Sequence, residues 1–165
     1  MGNKLSNMEI ARKRVRTWTS GPLDLSCLEL TELPELPDGL TSLMCNHNQL
    51  IYLPKLPASL KKLNCSMNKL TSIPELPDGL IGLFCGRNQL ISLPKLPSGL
   101  MWLDCYKNQL TSLPELPKGL LELYCDENHF LEPEPEESID IYIARLKKLQ
   151  NVSTKNISYN DIKES

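Results

Sequence analysis

The sequence predicts a repeat solenoid: about six short parallel strands stacked into one sheet, with extended chain and no helix on the opposite side of each coil. Three observations predict it. Five rows starting at Leu40, Leu60, Leu80, Leu100 and Leu120 repeat at a period of 20 residues without insertion. Thirteen prolines exclude long helices and central antiparallel strands, because proline lacks the backbone donor both require. Nearly half of the 41% apolar share is leucine and only 5% of residues are aromatic, so one recurring side chain has to build the core.

The shared row reads L-x-x-L-x-C-x-x-N-x-L-x-x-L-P-x-L-P-x-G. Within it Leu43, Met44 and Cys45 alternate inward, outward and inward, as a short strand does. Stacking places equivalent residues about 4.8 Å apart in a parallel sheet, and each row buries its leucines against its neighbours, so no row folds alone. A fixed period near 20 with leucines at these offsets and a constant asparagine is the pattern of a leucine-rich repeat. The invariant Asn48, Asn68, Asn88, Asn108 and Asn128 stand where the chain leaves the strand. Their amides are placed to satisfy backbone groups that the bend orphans. The return path, Leu-Pro-x-Leu-Pro, has fixed φ angles and missing donors, which suits an extended, polyproline-like segment.

Between the two prolines Glu35, Lys55, Glu75, Lys95 and Glu115 alternate in sign. Opposite neighbours attract, by about 0–1 kcal/mol per exposed pair, which implies support for register and solubility. The same two-row alternation suggests growth by duplication of a 40-residue pair.

Cysteines at 45, 65, 85, 105 and 125 raise the question of metal, disulfide or catalytic chemistry. Neighbouring Cβ atoms about 4.8 Å apart exceed the disulfide range of about 3.5–4.5 Å. A zinc site needs ligands converging on a point, whereas this column is a line. A nucleophilic thiol needs exposure and a basic neighbour, and these are flanked by leucine. The column is read as core packing. In the segment PLDLSCLEL, Leu23 and Leu25 take the inward places, so Cys27 aligns with His47 and Leu28 replaces the asparagine. Residues 21–39 are thus a degenerate first row within a solenoid of residues 21–131.

Residues 1–20 carry a local charge of +4. Asn7 is placed to cap a helix running to about Trp18, with Ala11, Val15 and Trp18 as its apolar stripe over the open end of the core. The opening MGNKLS matches the N-myristoylation pattern, with Gly2 as acceptor. Beside it Arg12, Lys13, Arg14 and Arg16 supply a second signal for a membrane surface. Residues 132–150 hold an acidic linker and a helix from Ser138 that folds back over the last strand, and 151–165 form a polar tail. Neither a secretory core nor a long apolar run appears, so the expected location is a reducing cytoplasm, at the inner membrane surface if Gly2 is acylated.

The row LPELPxGLxxLxCxxNxL resembles the bacterial-effector class of leucine-rich repeats, of the YopM, IpaH and SspH type. It is equally similar to the cysteine-containing leucine-rich repeat proteins encoded by large viruses of amoebae. The resemblance covers residues 23–131 and implies the solenoid fold, with a host-cell cytoplasmic setting. Effector ligases of this class carry a separate catalytic domain with an active cysteine after the repeats. Here about 40 residues follow and no cysteine lies beyond Cys125, so that activity is not implied.

Function is sought where rows differ. Outward strand positions line the concave face, and Phe84, Trp102, Tyr106 and Tyr124 gather there from neighbouring rows. Arg87, Asp104, Lys107 and Glu127 stand among them as candidates for setting specificity. Aromatic and arginine side chains are the usual anchors of protein interfaces. The expected function is a monomeric, non-enzymatic module that binds a protein or peptide on its concave face. A myristoylated membrane adaptor and a virion or coat component are the alternatives. The two histidines pair with no nucleophile, no phosphate-binding loop follows a strand, and no cofactor or metal is expected. The acidic body opposes nucleic-acid binding.

Overall fold

The structure, a computed structural model, describes residues 5–130. One helix, α1 (Asn7–Thr17), precedes six three-residue strands. These are β1 (Pro22–Asp24), β2 (Ser42–Met44), β3 (Lys62–Asn64), β4 (Gly82–Phe84), β5 (Trp102–Asp104) and β6 (Glu122–Tyr124). They form one parallel sheet in sequence order, and every pairing is offset by one row, as in Leu43↔Leu63 and Leu63↔Leu83. A register shift of one residue would turn the leucines outward, so burial fixes the alignment.

The core is the inside of the coil. Leu43, Leu63 and Leu83 are fully buried, as are Cys45, Cys65, Cys85 and Cys105. Burial pushes the Cys45 thiol up to about 12 and drives Cys65, Cys85 and Cys105 well above the ordinary thiol value. Cys125 is half-buried and Cys27 exposed, so the packing role belongs to the four middle cysteines most fully.

Each asparagine satisfies two rows at once. Asn48 Nδ2 donates to the carbonyls of Leu25 (2.8 Å) and Cys45 (3.0 Å), while its Oδ1 accepts from the Leu28 and Leu30 amides, both at 3.0 Å. Asn68, Asn88, Asn108 and Asn128 repeat this bridge, each accepting from the leucine amide 18 residues before it. The residue before each asparagine is left-handed: φ is +54° at His47, +55° at Met67 and Arg87, +52° at Lys107 and +48° at Glu127. Apart from His47, these are not types enriched in that region, which costs about 1–2 kcal/mol per residue. The cost is met by hydrogen bonds to the next row, such as His47 N–H to the Ser66 carbonyl at 3.1 Å.

The return path carries no regular secondary structure and closes on a turn in which the Leu60 amide donates to the Pro57 carbonyl at 3.0 Å. The alternating Glu35–Lys55–Glu75–Lys95–Glu115 column is exposed. Among the described residues the ion pair within 4.0 Å is Lys107–Glu127, so the convex column makes none. Water competes effectively for such charges, and their contribution stays at long range.

At the first row, α1 is capped by Ser6 and not by Asn7, which is the first helical residue. Ser6 and Glu9 form a reciprocal box, Glu9 N–H to Ser6 Oγ at 3.2 Å and Ser6 N–H to Glu9 Oε2 at 2.7 Å. Two partners outbid the single side chain of Asn7. Ala11 is fully buried, and Val15 and Trp18 pack half-buried against the core. The Trp18 indole N–H donates to the Gly21 carbonyl at 3.0 Å. Gly2 and the helix expected from Ser138 lie outside the described residues.

Candidate functional site: the concave face of rows three to six

The outward side chains of β3–β6 form the candidate site. Register lines up Lys62, Gly82, Trp102 and Glu122 in one column and Asn64, Phe84, Asp104 and Tyr124 in the next. Phe84, Trp102 and Tyr106 are half-exposed, and Tyr124 is 46% exposed. The four aromatic residues predicted from sequence therefore stand on three adjacent strands and the loop that follows β5.

Two glycines decide how the rings lie. A Cβ on Gly86 would stand 2.5 Å from Tyr106 Cδ1 and 2.9 Å from Asp104 Oδ1. A Cβ on Gly82 would stand 3.2 Å from Phe84 Cε2 and 3.8 Å from Trp102 Cε3. The Tyr106 ring of row five thus settles into the gap at Gly86, while at Gly82 the Phe84 ring of row four itself closes in, with Trp102 in ordinary contact beside it. The gap at Gly82 also lets Lys62 reach past it, with its Nζ 5.7 Å from the Trp102 ring centroid. On the other side the Arg87 guanidinium lies 5.2 Å from the Tyr106 ring centroid, and its Nε donates to the Tyr106 hydroxyl. Such contacts are each worth about 0.5–1 kcal/mol at an exposed site. They hold rings that would otherwise be free to rotate.

The polar candidates take distinct places. Asp104 is half-buried, and its Oδ1 accepts from the Tyr106 amide at 3.2 Å. Desolvation raises its carboxyl above the usual range, although the Tyr106 amide opposes that shift. Lys107 and Glu127 pair at 3.1 Å, both more than half exposed. A shallow depression of about 310 Å³ lies between Met67, Arg87, Asn88 and Lys107. Along the entering edge of the strands Ile81 and Met101 are half-exposed and Leu121 is 50% exposed, extending the apolar surface beyond Trp102. Sequence reasoning placed the aromatics and charges, set Lys62, Gly82 and Gly86 on the outward columns without giving them a role, and missed this edge. The available signal was a pair of glycines on one row, each aligned with a large ring on the next.

This stack of Leu–Cys–Asn rows on a parallel sheet is a leucine-rich repeat protein. No family model matches the chain, and no curated protein matches it. Solved structures do. It is 38% identical to the leucine-rich repeat domain of a Shigella effector, with a TM-score of 0.73, across 76% of this chain and 59% of that one. It is 35% identical to YopM from Yersinia enterocolitica WA-314, TM-score 0.63, across 77% of this chain and 34% of YopM. A further match is the leucine-rich effector YopM of Yersinia pestis, 33% identical with a TM-score of 0.63, across 74% of this chain and 43% of that one. The chain therefore resembles the repeat domains of bacterial effectors and spans between a third and three fifths of the chains it matches.

Proposed function

We propose that the chain is a non-enzymatic interaction module that binds a protein or peptide segment on its concave face. Likeness to effector repeat domains supports a protein-interaction module in general terms. The observation that carries the particular face is the close fit of Tyr106 over Gly86, with Phe84 and Trp102 gathered at Gly82. Rings held in place lose little entropy when a partner covers them, which is what makes an aromatic patch a strong anchor. Phe84 sits between the two glycines, and Arg87, Asp104, Lys107, Tyr124 and Glu127 surround the rings as selective contacts.

Trp102→Ala and Tyr106→Ala will each weaken the partner captured on wild-type protein by about 2 kcal/mol or more, near thirtyfold in Kd. Melting temperature will move little, because neither side chain belongs to the buried core. Lys95→Ala on the convex side will change neither quantity. Calorimetric titration of the three variants checks this, and full-strength binding by both aromatic variants would sink the concave-face reading.

A second reading is supported by the exposed Arg12, Lys13, Arg14 and Arg16 of α1 beside the MGNKLS match: acylation at Gly2 and recruitment to a cytoplasmic membrane surface. Three of these cations line a groove of about 1060 Å³ together with Glu32, Glu35 and Asp38, which lowers the positive field they offer a membrane. Intact mass after eukaryotic expression tests it. Acylation will appear as loss of Met1 and gain of a myristoyl group, and an unmodified Gly2 excludes this recruitment.

A further inference from the structure

The concave face is electrically ordered along the stack. Rows three and four place Lys62 and Arg87 on the sheet side and no acid with them. Row five is balanced by Asp104 and Lys107, and row six carries Glu122, Asp126 and Glu127 without a lysine or arginine. Row two is neutral on this side apart from His47, which separates the positive region from Asp24 of row one. Asp24 is also held locally, accepting from the Ser26 amide at 2.9 Å and hydroxyl at 2.6 Å. The aromatic patch lies between the two regions of opposite sign. Lys107 of row five pairs with Glu127 of row six, and the sheet-side positions of the two rows taken together remain negative in formal charge.

Resting on the concave-face reading above, we infer that the partner is an extended segment of bipolar charge. Its acidic side chains lie over Lys62 and Arg87, apolar residues cover Phe84, Trp102 and Tyr106, and basic side chains meet Glu122 and Glu127. Geometry sets the spacing. Rows three and six are three strand steps apart, about 15 Å, and an extended chain covers that in about four or five residues. A uniformly acidic segment would meet repulsion at row six, and a uniformly basic one at rows three and four.

The test uses fluorescein-labelled peptides and anisotropy on the full chain. One peptide has two aspartates, an apolar centre of about four residues including leucine and phenylalanine, then two lysines. A second has the same residues with charges alternating, and two more carry four aspartates or four lysines around the same centre. The block peptide is expected to bind at least about tenfold more tightly than the others, with that margin collapsing in about 0.5 M NaCl. Lys62→Glu with Arg87→Glu, both on exposed side chains, should transfer the preference to the four-lysine peptide. Equal binding of block and alternating peptides, or no binding by any, overturns the inference. Trp102→Ala separates the two levels. If it weakens every peptide while charge order has no effect, bipolar recognition fails and the aromatic site stands. If it changes nothing, the concave-face reading fails as well.

Discussion

Cys85→Asp leaves the chain unfolded at room temperature, whereas Cys85→Val shifts the melting curve only slightly. Cys85 is fully buried between Cys65 and Cys105, and burial already drives its thiol far above the ordinary value. A carboxylate there finds neither water nor a cation, and even its neutral form lacks a hydrogen-bond partner. The penalty of about 4–5 kcal/mol or more is comparable to the whole stability of a small domain, about 5–15 kcal/mol. Valine keeps the site apolar at similar size, so its cost stays below about 1.5 kcal/mol. Circular dichroism melts of the two variants decide the matter. In wild-type protein a thiol reagent will label Cys27 at once and reach Cys65 and Cys85 only after urea, and rapid native labelling of either would refute the packing role.

Asn108→Ala will cost roughly 3 kcal/mol, and Asn108→Asp will not rescue it. The Asn108 amide donates to the carbonyls of Cys85 (3.1 Å), Cys105 (3.0 Å) and Tyr106 (3.3 Å), and its Oδ1 accepts from the Leu90 amide at 3.0 Å. Alanine orphans the buried Leu90 amide, at about 1–3 kcal/mol, and strips one of two donors from the Cys85, Cys105 and Tyr106 carbonyls, which keep Asn88, Asn128 and the Arg87 amide. Aspartate restores the acceptor but turns a negative oxygen toward three carbonyls. Urea midpoints compared at constant slope measure the effect. A loss below about 1 kcal/mol would show that water replaces the amide, and the bridge would then be incidental.

The stack itself was legible because every row repeats the same local message. Leu43, Cys45, Asn48 and Leu50 each carry one job, and repetition in five rows separates those jobs from the variable residues between them. The left-handed column was hidden because His47, Met67, Arg87, Lys107 and Glu127 have no shared preference for positive φ. At His47, Met67, Arg87 and Lys107 a hydrogen bond to the following row supports that conformation, and it exists only after stacking. The role of Gly86 was hidden for a related reason: a gap becomes informative only when the ring that fills it, Tyr106 20 residues later, is brought alongside. The helix start was misjudged by one residue because Glu9 completes a box with Ser6 that Asn7 cannot match.

The asparagine bridge also gives the stack a direction in time. Asn48 ties off carbonyls and amides of residues 25–30, Asn68 serves the Cys45 carbonyl and Leu50 amide, and Asn128 does the same for Cys105 and Leu110. The group that finishes a row is always supplied by the row after it. A chain emerging from the ribosome therefore closes each coil one coil late, and the most recently made coil stays provisional until its successor arrives. Nearest-neighbour coupling of this kind lets folding advance as a travelling front instead of waiting for the whole chain.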